Sequence, residues 1–214
     1  MPARRDDSAV LRICRPSGHA KVTVVSAPAL RMGYSYPEYV RFEREARDRH
    51  EFVGGLILAM AGGSLEHGRL TAAIISALGS QLGGRPCSVF DSNARVRVVA
   101  SGNAYYPDAS VVCDRLDVDP SDGLSMTNPA VLIEVLSPST ADYDRTDKLA
   151  DYQRIPSLRH VVHVAQDDAR VDVWSRVGET WSRISYRAGE QARLDAIGCV
   201  VDVTAVFRNP ISVG

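Results

Sequence analysis

Lysine is almost absent from this chain. Of the 25 basic residues among 214, only Lys21 and Lys148 are lysine, and arginine supplies the rest. Arginine is planar and always charged, whereas lysine carries a compact ammonium whose pKa moves readily on burial. Lys21 lies in an N-terminal stretch without periodicity, so Lys148 is the one ammonium in the body of the chain. Patterned cysteine is also lacking. Cys14, Cys87, Cys113 and Cys199 form no C-x-x-C pair, which argues against a zinc ribbon or a disulfide framework and leaves reduced thiols as the expectation. No apolar run approaches the ~20 residues of a membrane span. Val10-Leu11-Arg12-Ile13-Cys14-Arg15 is interrupted by charge and makes no signal-peptide core, so a cytoplasmic location is expected. A net charge of -1 gives no global attraction to polyanions, and any nucleic-acid contact needs a local basic patch. Gly54-Gly55, Gly62-Gly63 and Gly83-Gly84 lack phosphate-loop spacing, and neither Ser137 nor Ser139 lies in a G-x-S-x-G elbow.

The length suggests one domain. Residues 1–33 read as a tail or irregular extension in which Met32 is a candidate initiator, and residues 34–214 as a single domain. Ser35-Tyr36-Pro37-Glu38 has the S-x-x-E form of a capping box with proline in the first turn. Gly54-Gly55 separates two short strands as a hairpin turn. Ser64 caps a second helix in which Leu70, Ile74, Leu78 and Leu82 recur at helical spacing, and Gly83-Gly84 ends it. Strands are expected at 87–90, 95–100 and 106–113, then a polar loop to Asn128. Val131 to Leu136 reads as a central strand buried on both faces. A helix over about 144–154 and a strand at 160–165 complete a strand–helix–strand unit. Val171 to Trp174 and Trp181 to Tyr186 form a C-terminal hairpin around Gly178, with both tryptophans filling it. His160 and His163 read as packing residues.

Glu134 is the anomaly. It interrupts Ala130-Val131-Leu132-Ile133 and Val135-Leu136, where an unpaired carboxylate would be costly. Asp108, after Pro107, starts a neighbouring strand. Phosphodiester hydrolysis needs a cation on the phosphoryl oxygens and an activated water. Mg²⁺ prefers oxygen donors and is usually held by one or two carboxylates plus water and substrate phosphate. Asp108 and Glu134, with the Val135 carbonyl, are the candidate metal ligands. Lys148 would orient or help deprotonate the attacking water and offset charge in the transition state. The plainer readings are a strand-edge Glu134 paired to arginine, a turn aspartate at Asp108, and a surface Asp144–Lys148 pair worth only ~0.3–0.5 kcal/mol.

Pro107-Asp108, Glu134-Val135-Leu136-Ser137-Pro138-Ser139-Thr140 and Asp144-Arg145-Thr146-Asp147-Lys148, followed by Tyr152, resemble the Uma-two branch of the PD-(D/E)XK nuclease superfamily. The resemblance spans about residues 35–165. Where the superfamily commonly has a lysine two residues after the acidic one, this chain has Leu136, and the branch implies that Lys148 on the next helix replaces it. Glu51-Phe52-Val53-Gly54-Gly55 is similar to an E-L-x-D-G hairpin, with Gly54 in place of the aspartate. Glu51 is therefore a further catalytic candidate or an exposed hairpin residue. His67 also matches a family position, though a capping or packing role suits it better. His163-Val164-Ala165-Gln166 departs from the family pattern.

The expected fold class is α/β: a restriction-endonuclease-like mixed β-sheet flanked by helices, with an added C-terminal hairpin. The expected activity is Mg²⁺-dependent hydrolysis of DNA phosphodiesters, with Mn²⁺ as a substitute and, by resemblance, 5′-phosphate products. Asp108, Glu134, Lys148 and Glu51 would carry it, on DNA and without a membrane partner, in a monomer or homodimer. The alternative is a catalytically inactive module of the same fold that binds nucleic acid or protein.

Overall fold

Two glycine turns and one proline set the topology. The structure, a computed structural model, describes residues 33–60, 62–137 and 141–211. The tail, Met32 and Pro138-Ser139-Thr140 therefore lie outside the described residues. Helix α1 (Tyr36–Glu45) begins at the expected capping box, in which the Ser35 hydroxyl accepts from Glu38 N–H and the Glu38 carboxylate accepts from Ser35 N–H. Strands β1 (His50–Val53) and β2 (Leu56–Ala59) meet at Gly54 and Gly55. Both glycines have positive φ, +57° and +84°, which a side chain would disfavour. Helix α2 (Leu65–Leu82) buries Leu70, Ile74, Leu78 and Leu82, as its spacing indicates.

The strand expected over 106–113 begins only at Ala109, and a separate strand that the sequence reading did not assign precedes it. Strand β5 (Asn103–Tyr105) pairs with β1 and with β4 (Val96–Val98) in a four-stranded sheet of order β2-β1-β5-β4. Strand β6 (Ala109–Cys113) belongs to a different sheet. Pro107 has no N–H for a ladder, so pairing stops there and the chain changes sheets across Tyr106-Pro107-Asp108. That crossing places Asp108 between the two sheets.

The second sheet has order β10-β9-β8-β7-β6-β3, built from β3 (Cys87–Asp91), β6, β7 (Val131–Leu136), β8 (His160–Ala165), β9 (Arg170–Val177) and β10 (Thr180–Arg187). Strand β7 is buried along its whole length and pairs parallel with β8 and antiparallel with β6. The β9–β10 hairpin forms about Gly178 and extends this sheet through β8. Trp174 and Trp181 pack partly buried there, under the guanidiniums of Arg183 and Arg176. Beyond it lie β11 (Gln191–Leu194), a 3-10 turn at Asp195–Ile197, β12 (Cys199–Asp202) and the short helix α5 (Val203–Phe207). The sequence reading leaves these unassigned.

Alternation along the strands gives each sheet face its own core. Val131, Ile133 and Val135 pack with Val162, Val164, α2 and the β11–β12 pair. Leu132 packs on the other face with Val161, Leu149, Tyr152 and Leu158. The connection between β7 and β8 is helical from Ala141 to Tyr152, starting three residues earlier and stopping two earlier than expected: α3 (Ala141–Tyr143), a π-helical stretch Asp144–Lys148, and α4 (Leu149–Tyr152).

The expectation of reduced thiols fails for one pair. Cys87 and Cys113 stand directly opposite in the β3–β6 register and are disulfide-bonded. Register alone brings them together, and a separation of 26 residues leaves no local signal. Cys199 is free and buried. Among the described residues no helix is long and apolar enough to cross a membrane.

Candidate active site

Glu134 lies on the Leu132 face of β7, beneath the helical connection. It is 5% exposed, and Lys148 above it is 4% exposed. The Lys148 ammonium is 2.9 Å from Glu134 Oε1, 2.9 Å from Glu51 Oε1 and 3.7 Å from Asp144 Oδ1. The rings of Tyr105 and Tyr152 flank it at 5.7 and 5.8 Å. The Tyr152 hydroxyl donates to the same Glu134 oxygen at 2.7 Å. Lys148 and Tyr152 are four residues apart, so one helix face delivers both to one carboxylate. The π-helical stretch ends at Lys148, an irregularity often found at functional sites.

Glu51 is not the exposed hairpin residue of the plainer reading. It is 8% exposed, bridges to Lys148, and accepts from Tyr106 N–H at 3.4 Å. Asp144, read as half of a surface pair, is buried and faces the same ammonium.

Asp108 is placed beside this cluster by two hydrogen bonds. Its Oδ2 accepts from Val135 N–H at 2.7 Å, and its Oδ1 meets His67 Nε2 at 2.8 Å. Val135 therefore touches Asp108 through its amide. In an extended strand the carbonyl of the same residue leaves toward the same edge. His67 serves twice: its N–H satisfies the Ser64 cap of α2 at 3.1 Å, and its ring reaches Asp108. Its Nδ1 faces the Gln166 amide at 3.4 Å, and Gln166 accepts from the Ser64 hydroxyl at 2.9 Å. Gly63 makes room for this ring, because a Cβ there would lie 2.9 Å from His67 Cδ2.

The charges do not balance. Glu134, Glu51 and Asp144 surround one lysine, and Asp108 adds a fourth carboxylate that acts on Glu134. Burial pushes the Glu134 carboxyl well above the carboxylate range; the Lys148 ammonium pulls it back, and the carboxylates of Asp144, Asp108 and Glu51 push it further up. Burial works to lower Lys148, but Glu134, Glu51 and Asp144 outweigh it and hold the ammonium firmly charged. Burial and Glu134 together raise the Tyr152 hydroxyl, keeping it a donor.

A polar row continues from Glu134 across the sheet, which the sequence reading missed. His163 stands opposite Glu134, Asp172 opposite His163, and Ser185 opposite Asp172. Ser185 donates to Asp172 at 2.6 Å, while His163 Nε2 makes no hydrogen bond among the described residues. Burial lowers the His163 pKa to about 4. The usable signal was period two: His163 shares its face with Val161, on the same side of the sheet as Glu134. His160 faces the other way and is satisfied by Ser175 and Ala196 N–H.

A hard divalent cation suits this donor set, since the groups are carboxylate oxygens in negative excess. Among the described residues no three His, Cys, Asp or Glu side chains already surround a common metal point. A Mg²⁺ held by two carboxylates would complete its shell with water and phosphate.

Comparison with known proteins gives the family and the fold. Residues 36–204 match the model of the Uma2 family, described as "Putative restriction endonuclease". Two proteins of Synechocystis sp. are similar at 31% identity: uncharacterized protein slr1290, over 80% of this chain and 90% of its own, and uncharacterized protein sll1609, over 74% and 89%. The crystal structure of a protein from Anabaena variabilis, titled a putative nuclease belonging to DUF820, superposes with a TM-score of 0.68 at 15% identity. That alignment covers 81% of this chain and 97% of the other, and it establishes the shared fold. The match along most of its length makes this chain a member of the Uma2 family of restriction-endonuclease-like proteins.

Proposed function

We propose that the protein is a Mg²⁺-dependent endonuclease that hydrolyses DNA phosphodiester bonds, with Mn²⁺ able to substitute. One observation carries the reading: a carboxylate inside a fully buried strand, gripped by the body's single lysine and crowded by three further carboxylates. A purely structural ion pair would not need the excess acids, whose mutual repulsion costs stability.

Asp108 and Glu134, with the Val135 carbonyl, would hold the metal. Bound there, Mg²⁺ would neutralise phosphoryl charge and lower the pKa of a water. Lys148 is a fixed donor beside Glu134; it orients that water and offsets charge on the phosphoryl oxygens. Glu51 and Asp144 hold the ammonium in place, Tyr152 fixes the Glu134 carboxylate, and His67 with Val135 N–H fixes Asp108. Family resemblance gives a 5′-phosphate product. A cytoplasmic location goes with this reading, and the Cys87–Cys113 bond argues against it.

A second reading has its own support. Lys148 lies among three carboxylates, and among the described residues no three-ligand cage stands ready, which also suits an inactive module that binds nucleic acid. Supercoiled plasmid incubated with Mg²⁺, Mn²⁺ or EDTA separates the two. Nicking by wild type and its loss in Glu134→Ala supports the nuclease. Equal nicking by both means contamination or another site, and none by either supports the module.

A further inference from the structure

Beside the buried carboxylates lies an open cavity of about 440 Å³ whose walls include Arg47, Arg49, Ser64, His67, Ser92 and Asp108. Asp108 and His67 belong to both the cavity and the candidate active site, so the cavity opens directly onto that site. Its chemistry is complementary to what the site lacks. Four carboxylates repel a polyanion, and the Lys148 ammonium is already shared among three of them. The two cavity arginines supply that charge. Arg49 is anchored by Nη1, which donates to the Ser92 carbonyl and, at 3.0 Å, to the Ser92 hydroxyl. Its Nε and Nη2 make no hydrogen bond among the described residues. Arg47 is exposed on the rim, where Asp48 is the one opposing charge apart from Asp108. The lining thus sets two guanidiniums against two carboxylates, and what it offers a phosphate is the local contact of the arginines rather than a net positive field.

The lining also limits what can bind. Among its described residues the imidazole of His67 is the sole aromatic ring, so there is no platform for stacking a base. Backbone-directed arginines position a strand and carry no sequence information. A Cβ on Gly62 or Gly68 would meet nothing within 4 Å, so the space beside them is open. A cavity of this volume is on the scale of one nucleotide of a single strand.

We propose that this cavity is a backbone subsite, in which Arg47 and Arg49 hold the sugar-phosphate of an unpaired DNA strand next to the bond that the nuclease site cleaves. The proposal rests on the nuclease reading for its orientation, and its test stands apart from cleavage. A fluorescein-labelled single strand of mixed sequence is titrated with the full chain in EDTA, and anisotropy is recorded across a salt series. Arg47→Ala and Arg49→Ala should each weaken binding roughly ten-fold and flatten the salt slope by about 0.7, the value for one phosphate contact on a single strand. Arg193→Ala, which removes the same charge from β11 outside the cavity, should bind as wild type. The annealed duplex should bind more weakly. Absence of binding, equal binding by all three variants and wild type, or equal arginine dependence on duplex would overturn the proposal. Arg47 is exposed, so its variant cannot be lost to misfolding of the core. A parallel digest of the same single strand with Mg²⁺ separates the two readings. Arginine-dependent binding without cleavage keeps the subsite and removes the nuclease, while cleavage with arginine-independent binding does the reverse.

Discussion

Lys148 Nζ and Glu134 Oε1 lie 2.9 Å apart inside a site that is almost closed to solvent. The pair joins the helical connection to the central strand, and Glu51 on β1 fastens it to the four-stranded sheet through the same nitrogen.

Removing the lysine alone should therefore be costly twice over. Lys148→Met takes the shared ammonium away from Glu134, Glu51 and Asp144, a loss on the order of 3–5 kcal/mol by analogy with broken buried ion pairs. It should also lower cleavage by about 10²–10³, the scale of one lost electrostatic donor. Lys148→Met combined with Glu134→Gln should recover part of the thermal midpoint and none of the cleavage. Recovery of both would mean that Lys148 is purely structural.

Tyr152→Phe keeps the ring that packs edge-on against Tyr105 at 5.3 Å and removes only the hydroxyl that donates to Glu134. The expected loss is about 1–3 kcal/mol in stability, with a smaller fall in cleavage than Lys148→Met causes. Chemical denaturation and single-turnover rates, measured together, check both.

Much of this was legible in the sequence. A glutamate inside an apolar hexapeptide is hard to explain away, and a lone lysine among arginines points to its own importance. The Ser35 capping box and the Gly54-Gly55 turn follow from local chemistry. What was hidden depended on tertiary pairing. The run from Tyr106 to Cys113 reads as one strand until Pro107 is seen to separate two sheets. The π-helical stretch at Asp144–Lys148 carries no periodic signature over so few residues. Arg95 and Asp122, in stretches read as a strand edge and a polar loop, form a buried pair at 2.9 Å.

That pair gives the fold an acid dependence. Arg95 also reaches the hydroxyls of Tyr39 and Tyr106, so it braces α1 and the segment that leads to Asp108. Burial works to raise the Asp122 pKa, but hydrogen bonds from Ser125, Tyr36 and Leu124 N–H prevail and hold it well below the carboxylate range. A depressed folded pKa gives stability that is complete above the unfolded value near ~4 and is lost as pH falls through the folded one. Wild type should lose thermal stability steadily below about pH 4–5. Asp122→Asn should be less stable at pH 7, and its deficit should shrink on acidification. A deficit constant from pH 7 to pH 3 would contradict this sign.

The Cys87–Cys113 bond closes a loop of 26 residues, for which chain entropy predicts a stabilisation of about 3–4 kcal/mol. Reduction should lower the thermal midpoint, and Cys87→Ser should abolish that response. Thiol counting by mass under non-reducing conditions shows whether the bond is present in the purified protein.

The central claim is that Glu134, Lys148 and Asp108 form a metal-dependent phosphodiesterase centre. The most direct measurement is single-turnover cleavage of end-labelled DNA by wild type, Glu134→Gln and Lys148→Met across a Mg²⁺ titration. The account predicts saturable, EDTA-reversible cleavage by wild type and at least a hundred-fold loss, about 2.7 kcal/mol, in both variants. Cleavage without metal, or undiminished in folded Glu134→Gln, would contradict it.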